Sequence, residues 1–167
     1  MGRIDEALRH SERATELDPF SALLHGLHAR VLCGARRYDD AMAAARNALA
    51  MQSGVVAGTG AGALECAFVS TGMRDEHVAL QRERLARDPE RLAAFEQGLS
   101  ESGYEGAMRR VADLLAAQYE KSGGVADPAA RTAIIAHWYL WAGDHDRSMD
   151  WLERAFEVRD PGLPYLS

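Results

Sequence analysis

The chain repeats one short pattern at a fixed spacing. Ala7 and Ala14 mark a run of helix-forming residues, and Ala41 and Ala48 mark a matching run 34 residues later. The first run stops at Asp18-Pro19, because the residue before a proline disfavours helical backbone. A period near 34 predicts stacked helix–turn–helix units, since one helix pair cannot bury its apolar face alone.

Composition supports an all-helical chain. The 167 residues are rich in Ala, Leu, Glu and Arg, which are good helix formers, and only 7% are aromatic. The formal charge of −6 argues against nucleic-acid binding by this segment, because phosphate contacts need a basic surface. No apolar signal region or membrane-length run is present, so the sequence predicts a cytoplasmic protein without a membrane partner.

The turn signals divide the chain into a half repeat and four repeats. Pro19 and Pro89 are 70 residues apart, slightly more than two periods, so we place a small loop insertion between Gln52 and Gly60. Ser148 and Ala155 repeat the small-residue pattern near the other end. The prediction is a single domain over 1–167, made of a half repeat 1–19, repeats of about 20–54, 55–89, 90–127 and 128–160, and a tail 161–167.

The fourth unit repeats a pattern from the second. Residues Tyr104–Met108 follow the order of Tyr38–Met42, with a tyrosine, two further residues, an alanine and a methionine. We therefore predict a helix pair at Glu90–Ser102 and Tyr104–Ser122. The last pair is predicted at Ala129–Ala142 and Arg147–Glu157.

These motifs resemble the tetratricopeptide repeat family over essentially the whole chain. The resemblance implies an all-α, right-handed superhelix (solenoid) of antiparallel helix pairs. It also implies a non-catalytic module that binds a protein or peptide and uses no cofactor. Residues 138–156 resemble the C-terminal repeats of bacterial regulators that carry such arrays behind a DNA-binding or kinase domain.

Two functions follow as expectations. The first is a scaffold, or the regulatory segment of a larger bacterial protein. The alternative is a small-molecule-sensing domain attached to a transcription regulator or kinase. In this family the first helix of each pair lines the concave surface. We therefore expect the binding groove to be lined by Leu23, Gly26, Arg30, Cys33, His137 and Trp141.

Three local patterns favour structure over chemistry. The glycine-rich segment Gly58–Gly62 lacks the preceding strand and βαβ context of a nucleotide site, so a close-packed helix start is expected. His25 and His28 share a helical face, but no third metal ligand is evident. Cys33 and Cys66 are predicted to be two small buried thiols.

The ends of the array are predicted to be poorly covered. The chain opens on a second-type helix, so the apolar residues Ile4, Ala7, Leu8 and Leu17 lack half of their usual cover. Terminal repeats normally need polar capping. Self-association through an uncapped terminal helix, docking of that helix back onto its neighbour, or a stretch of protein missing from this chain would each supply the cover. We expect the first or the last of these.

Overall fold

The computed structural model describes residues 3–51, 57–124 and 131–163. These residues form helices and turns and contain no strand, so the chain is all-α. The helices are α1 (Ile4–Leu17), α2 (Ala22–Gly34), α3 (Tyr38–Met51), α4 (Ala57–Thr71), α5 (Arg74–Leu85), α6 (Pro89–Lys121), α7 (Thr132–Trp141) and α8 (His145–Glu157).

The helices α2, α4 and α7 end in the same kind of turn. Each is followed by a residue in the left-handed region, with φ between 60° and 74°. The next amide then bonds to a carbonyl five residues back, which satisfies a carbonyl that the helix end would leave free. These amides donate from Arg37 to Leu32, from Met73 to Phe68 and from Asp144 to Tyr139. The recurrence of one turn type agrees with the repeated sequence pattern.

The long helix α6 is two arms joined at a break. Ser102 and Gly103 have non-helical backbone angles, and Gly103 has φ 69°. The arms fold back on each other, since Gln118 on the second arm donates to Glu90 on the first at 3.1 Å. This confirms the helix pair predicted for the fourth unit.

Two glycines let the arms of α6 cross at backbone contact. A Cβ placed on Gly98 would lie 2.3 Å from the carbonyl oxygen of Gly106. A Cβ on Gly106 would lie 2.6 Å from the carbonyl oxygen of Gly98. Neither backbone has room for a side chain, so the crossing depends on glycine at both positions.

The chain divides into two compact units, Met1–Gln81 and Arg82–Ser167. The single-domain organisation over 1–167 stays a prediction.

In unit 1 the helices α2 and α4 run side by side in the same direction. A Cβ on Gly26 would meet Thr59 Oγ1 at 2.3 Å, so the two helices are close there. Farther along the same two helices, Cys33 of α2 is joined to Cys66 of α4 by a disulfide at a sequence separation of 33. Both contacts link residues 33 positions apart, which requires parallel helices in constant register.

Helix α4 also runs back along α3. A Cβ on Gly60 would lie 3.2 Å from the Ala45 carbonyl oxygen and 3.4 Å from the Ala48 Cβ. Met42 of α3 shares one buried cluster with Leu64 and Phe68 of α4. Small residues at the crossing let the two helices approach closely and bury this cluster.

Two sequence-based expectations for unit 1 are wrong. Cys33 and Cys66 are not free thiols, because the parallel packing of α2 and α4 brings their sulfur atoms within bonding distance. The loop predicted from Gln52 to Gly60 is too long, since α4 already begins at Ala57. The small residues at the start of α4, such as Gly60, allow close contact with α3 and do not form a loop. Residues 52–56 lie outside the described part of the chain.

In unit 2 the second arm of α6 packs beside α7 and α8. Tyr139 on α7 donates to the Asp113 carboxylate at 2.8 Å, and Arg147 on α8 donates to the same oxygen at 2.8 Å. Farther along the same pair of helices, Arg154 donates to Glu120 at 2.5 Å. The buried ring of Phe95 meets the edge of Trp138 at 6.5 Å between centroids, which fills the space between the first arm and α7.

Asp160 fixes the segment after α8 against the start of α7. Its carboxylate accepts from the Thr132 hydroxyl at 2.7 Å and from the Ala133 amide at 3.1 Å. Burial alone would raise the pKa of Asp160, but the hydrogen bonds from Gly162, Thr132 and Ala133 to the charged form lower it overall. A carboxylate at a helix N-terminus also satisfies free backbone amides and favours the positive end of the helix dipole.

Candidate binding surfaces

Large apolar side chains are exposed on α2 and in the turn just before it. Phe20 is 86% exposed, Leu23 45% and Leu27 42%. A spacing of four residues places Leu23 and Leu27 on one helical face, and Phe20 lies in the turn before α2. We call these three residues the open row. Arg30 follows in the same register and is half-buried.

The buried side of α2 contains two of the residues predicted to line the groove. Gly26 is buried where α2 meets Thr59 of α4. Cys33 is 4% exposed and bonded to Cys66. Both therefore pack helix against helix, and of the four predicted residues on α2 only Leu23 and Arg30 present accessible surface.

The remaining predicted pair lies on α7 of unit 2. His137 and Trp141 are half-buried, and their rings stack at 5.7 Å with planes 10° apart. Trp141 also meets the buried Trp138 edge-on at 5.3 Å. The structure brings His137 and Trp141 together as one aromatic surface that is continuous with the core of unit 2.

A polar cleft of about 350 Å³ opens between α1, α2 and α3. His25 and His28 line it, together with Glu12 and Asp40. The Nδ1 atom of His28 lies 2.9 Å from Ser11 Oγ, and the Nε2 atom of His25 lies 2.9 Å from the Pro19 carbonyl oxygen. Loss of solvent lowers the pKa of His28, so its neutral form is favoured in the folded protein.

A second cleft, of about 390 Å³, surrounds the crossing of the two arms of α6. Its charged groups are engaged with one another or with neighbouring turns. Arg110 pairs with Glu101 at 2.8 Å, and Arg109 pairs with Asp144 at 3.1 Å. These contacts stabilise the arrangement of helices around the crossing.

The two remaining motifs lie in packed helices. Residues Gly58–Gly62 fall inside α4, where Gly60 provides the close approach to α3. Within 3–51, 57–124 and 131–163, no group of three or more His, Cys, Asp or Glu side chains is placed to hold a metal ion.

Phe20 is the residue of the open row that was not among the predicted groove residues. It directly follows Asp18-Pro19, a position that usually belongs to a polar turn. Its position three residues before Leu23 is the sequence signal that groups it with that leucine.

The chain matches no family model, no curated protein and no solved structure. None of the helices described here is both long enough and apolar enough to span a membrane.

Proposed function

We propose that this chain is a non-catalytic helical-repeat module of the tetratricopeptide type, which binds a protein or peptide through the open row. The observation that carries the proposal is the exposure of Leu23 and Leu27 on one face of α2 and of Phe20 in the turn just before it. Scattered apolar side chains are normal on a surface, but a contiguous apolar row is typical of an interaction site. Large apolar and aromatic anchors supply most of the free energy of such interfaces.

The packing inside each unit supports a solenoid. In unit 1, contacts between the parallel helices α2 and α4 join residues 33 positions apart. In unit 2, two contacts between α6 and α8 join residues 34 positions apart. A constant separation near one repeat length is expected when each repeat stacks on the next with the same geometry.

The setting of the module is also a proposal. We place it as a scaffold or as the regulatory part of a larger bacterial protein. Disulfides persist mainly in oxidising compartments, so the Cys33–Cys66 bond weighs against the expected cytoplasmic location. Fractionation of cells that express the chain at natural levels, followed by thiol labelling, tests both the location and the oxidation state.

The alternative function is small-molecule sensing, and the cleft beside His25 and His28 is the observation that favours it. Its volume of about 350 Å³ is at the small end of ligand sites. The polar side chains that line it, including Glu12 and Asp40, would suit a small hydrophilic ligand rather than an apolar one.

Selection from a displayed library of random peptides tests the proposed function. Wild type should enrich peptides with spaced apolar residues, and the double change Leu23→Ser with Leu27→Ser should lose at least about tenfold in affinity for them. The matched control is Leu140→Ser, because Leu140 is also 45% exposed but lies on α7. Equal binding by wild type and the double variant would exclude the open row as the site.

A further inference from the structure

Helix α8 carries an exposed apolar stripe in unit 2. Met149 is 56% exposed, Phe156 is 77% exposed, and Leu152 between them is half-buried. The adjacent side of α8 faces the rest of the unit through Ser148, Trp151 and Ala155, which are buried. The stripe is therefore a second face of α8, which no helix of the described part of unit 2 covers.

The chain shows elsewhere what such a stripe packs against. Met42, Ala45 and Leu49 on α3 have the same spacing, and there Met42 and Ala45 are buried against α4. Met108, Val111 and Leu115 on the second arm of α6 have the spacing again, and all three are buried. All three stripes have apolar residues at spacings of three and then four. Each stripe begins with the methionine that directly follows a small residue, which is Ala41, Ala107 or Ser148.

The helix that covers the α3 stripe indicates what kind of helix would fit the α8 stripe. α4 is an apolar helix that runs back along α3 and crosses it at Gly60, where an added Cβ would lie 3.2 Å from the Ala45 carbonyl oxygen. The residues at the matching positions of α8 are Leu152, Ala155 and Phe156. Because Leu152 is larger than Ala45, a helix that crossed α8 in the same way would need a small residue opposite Leu152.

Charge adds a second requirement. Asp146, Asp150, Glu153 and Glu157 follow one another at spacings of four, three and four residues, and all are exposed. This spacing makes an acidic stripe parallel to the apolar one. The basic residues Arg147 and Arg154 lie on the side of α8 that faces α6, where they pair with Asp113 and Glu120. The edge of the apolar stripe that lies away from α6 is therefore lined by negatively charged side chains.

We propose that the α8 stripe is a docking surface for an amphipathic helix of a partner protein. This helix runs antiparallel to α8, has a glycine or alanine at the crossing, and carries Arg or Lys along one edge. The apolar stripe supplies the affinity, and the acidic stripe selects a basic edge and fixes the direction of docking. The surface lies on another helix and in the other unit from the open row, so it is independent of the proposed peptide site.

A designed peptide tests the proposal with the full chain. The probe is a labelled 20-residue helix (about 30 Å long) with Leu and Ala on one face, a central Gly, and Arg along one edge. Its partner probe has Glu in place of every Arg. Fluorescence anisotropy should show that the Arg probe binds wild type, and that Phe156→Ser weakens it at least about tenfold. Leu140→Ser, the matched exposed control, should change the affinity less than about twofold.

Charge reversal distinguishes specific docking of the probe from nonspecific hydrophobic binding. The double change Asp150→Lys with Glu153→Lys should weaken the Arg probe and improve binding of the Glu probe, most clearly at low salt. Circular dichroism should stay unchanged in all variants, because the substituted side chains are exposed. The proposal is overturned if the Arg probe does not bind, if Phe156→Ser leaves its affinity intact, or if both probes bind alike. A concentration-dependent dimer that Phe156→Ser dissolves would also overturn it, since a second copy would then cover the stripe.

Discussion

Arg147 and Asp113 form an ion pair at 2.8 Å although they are 34 residues apart in the sequence. Arg154 and Glu120 repeat the relationship with the same separation. The 34-residue period of the first repeats is thus also the sequence separation between the side chains that pair across α6 and α8. Both pairs are about half exposed, so each contributes at most about 1 kcal/mol, and their main information is which residues of α6 and α8 lie side by side.

The disulfide predicts a large effect of reduction on unit 1. Closing a loop of 33 residues between Cys33 and Cys66 should stabilise the fold by about 3–4 kcal/mol on the chain-entropy model. Urea unfolding with and without reductant measures the difference for the wild type. The double change Cys33→Ala with Cys66→Ala should show no response to reductant, and an unchanged wild-type midpoint would argue that the bond does not stabilise the fold.

Ala48 should not tolerate a larger side chain. It is 2% exposed, and its Cβ would lie 3.4 Å from a Cβ on Gly60 of α4. We expect Ala48→Leu to lower the free energy of unfolding by about 1–3 kcal/mol through overpacking. Ala43 is exposed on the same helix, so Ala43→Leu is the matched control and should be nearly neutral. The reverse order in thermal melts would mean that the facing of α3 is wrong.

The crossing of the α6 arms predicts a strict need for glycine. Gly98→Ala would place a Cβ 2.3 Å from the Gly106 carbonyl oxygen, and backbone atoms cannot move aside as a side chain can. We expect a loss of about 3 kcal/mol or more. Gly62→Ala is the control, because nothing lies within 4 Å of its added Cβ in α4. That change should stabilise the protein by up to about 1 kcal/mol through helix propensity, and similar melts for the two variants would contradict the crossing.

Tyr139 predicts a loss of stability at alkaline pH. Burial and the hydrogen bond to Asp113 raise the pKa of Tyr139 to about 12. Because the folded state holds this proton more tightly than the unfolded state, the contribution is complete below about pH 10 and is lost as the pH rises towards 12. Ultraviolet titration of the wild type should show a tyrosine ionisation near pH 12 that is lost in Tyr139→Phe. The stability of Tyr139→Phe should also fall less steeply than that of the wild type above pH 10.

The sequence predicted most helices because local signals determine their ends. Asp18-Pro19 ends α1, and the turn before Tyr38 separates α2 from α3. The break predicted between Ser102 and Tyr104 is present at Ser102 and Gly103, because glycine accepts the positive φ that the turn requires. These are effects of neighbouring residues, which a single chain shows directly.

Contacts between distant residues were harder to predict. The Cys33–Cys66 bond depends on the register of two parallel helices, which the spacing of the cysteines alone does not specify. The groove was also only partly predictable: helical periodicity grouped Leu23 with Gly26, but Gly26 turns towards Thr59 while Leu23 faces solvent. Which of two adjacent faces is covered depends on the neighbouring helix.

Nuclear magnetic resonance mapping with a library-selected peptide tests the central claim, binding through the open row, most directly. Titration of the peptide into the labelled full chain should shift the side-chain signals of Phe20, Leu23 and Leu27 most strongly, and Leu23→Ser with Leu27→Ser should abolish these shifts. Largest shifts at His25 and His28 in the cleft, or at His137 and Trp141 on α7, with the open row unaffected, would contradict the account.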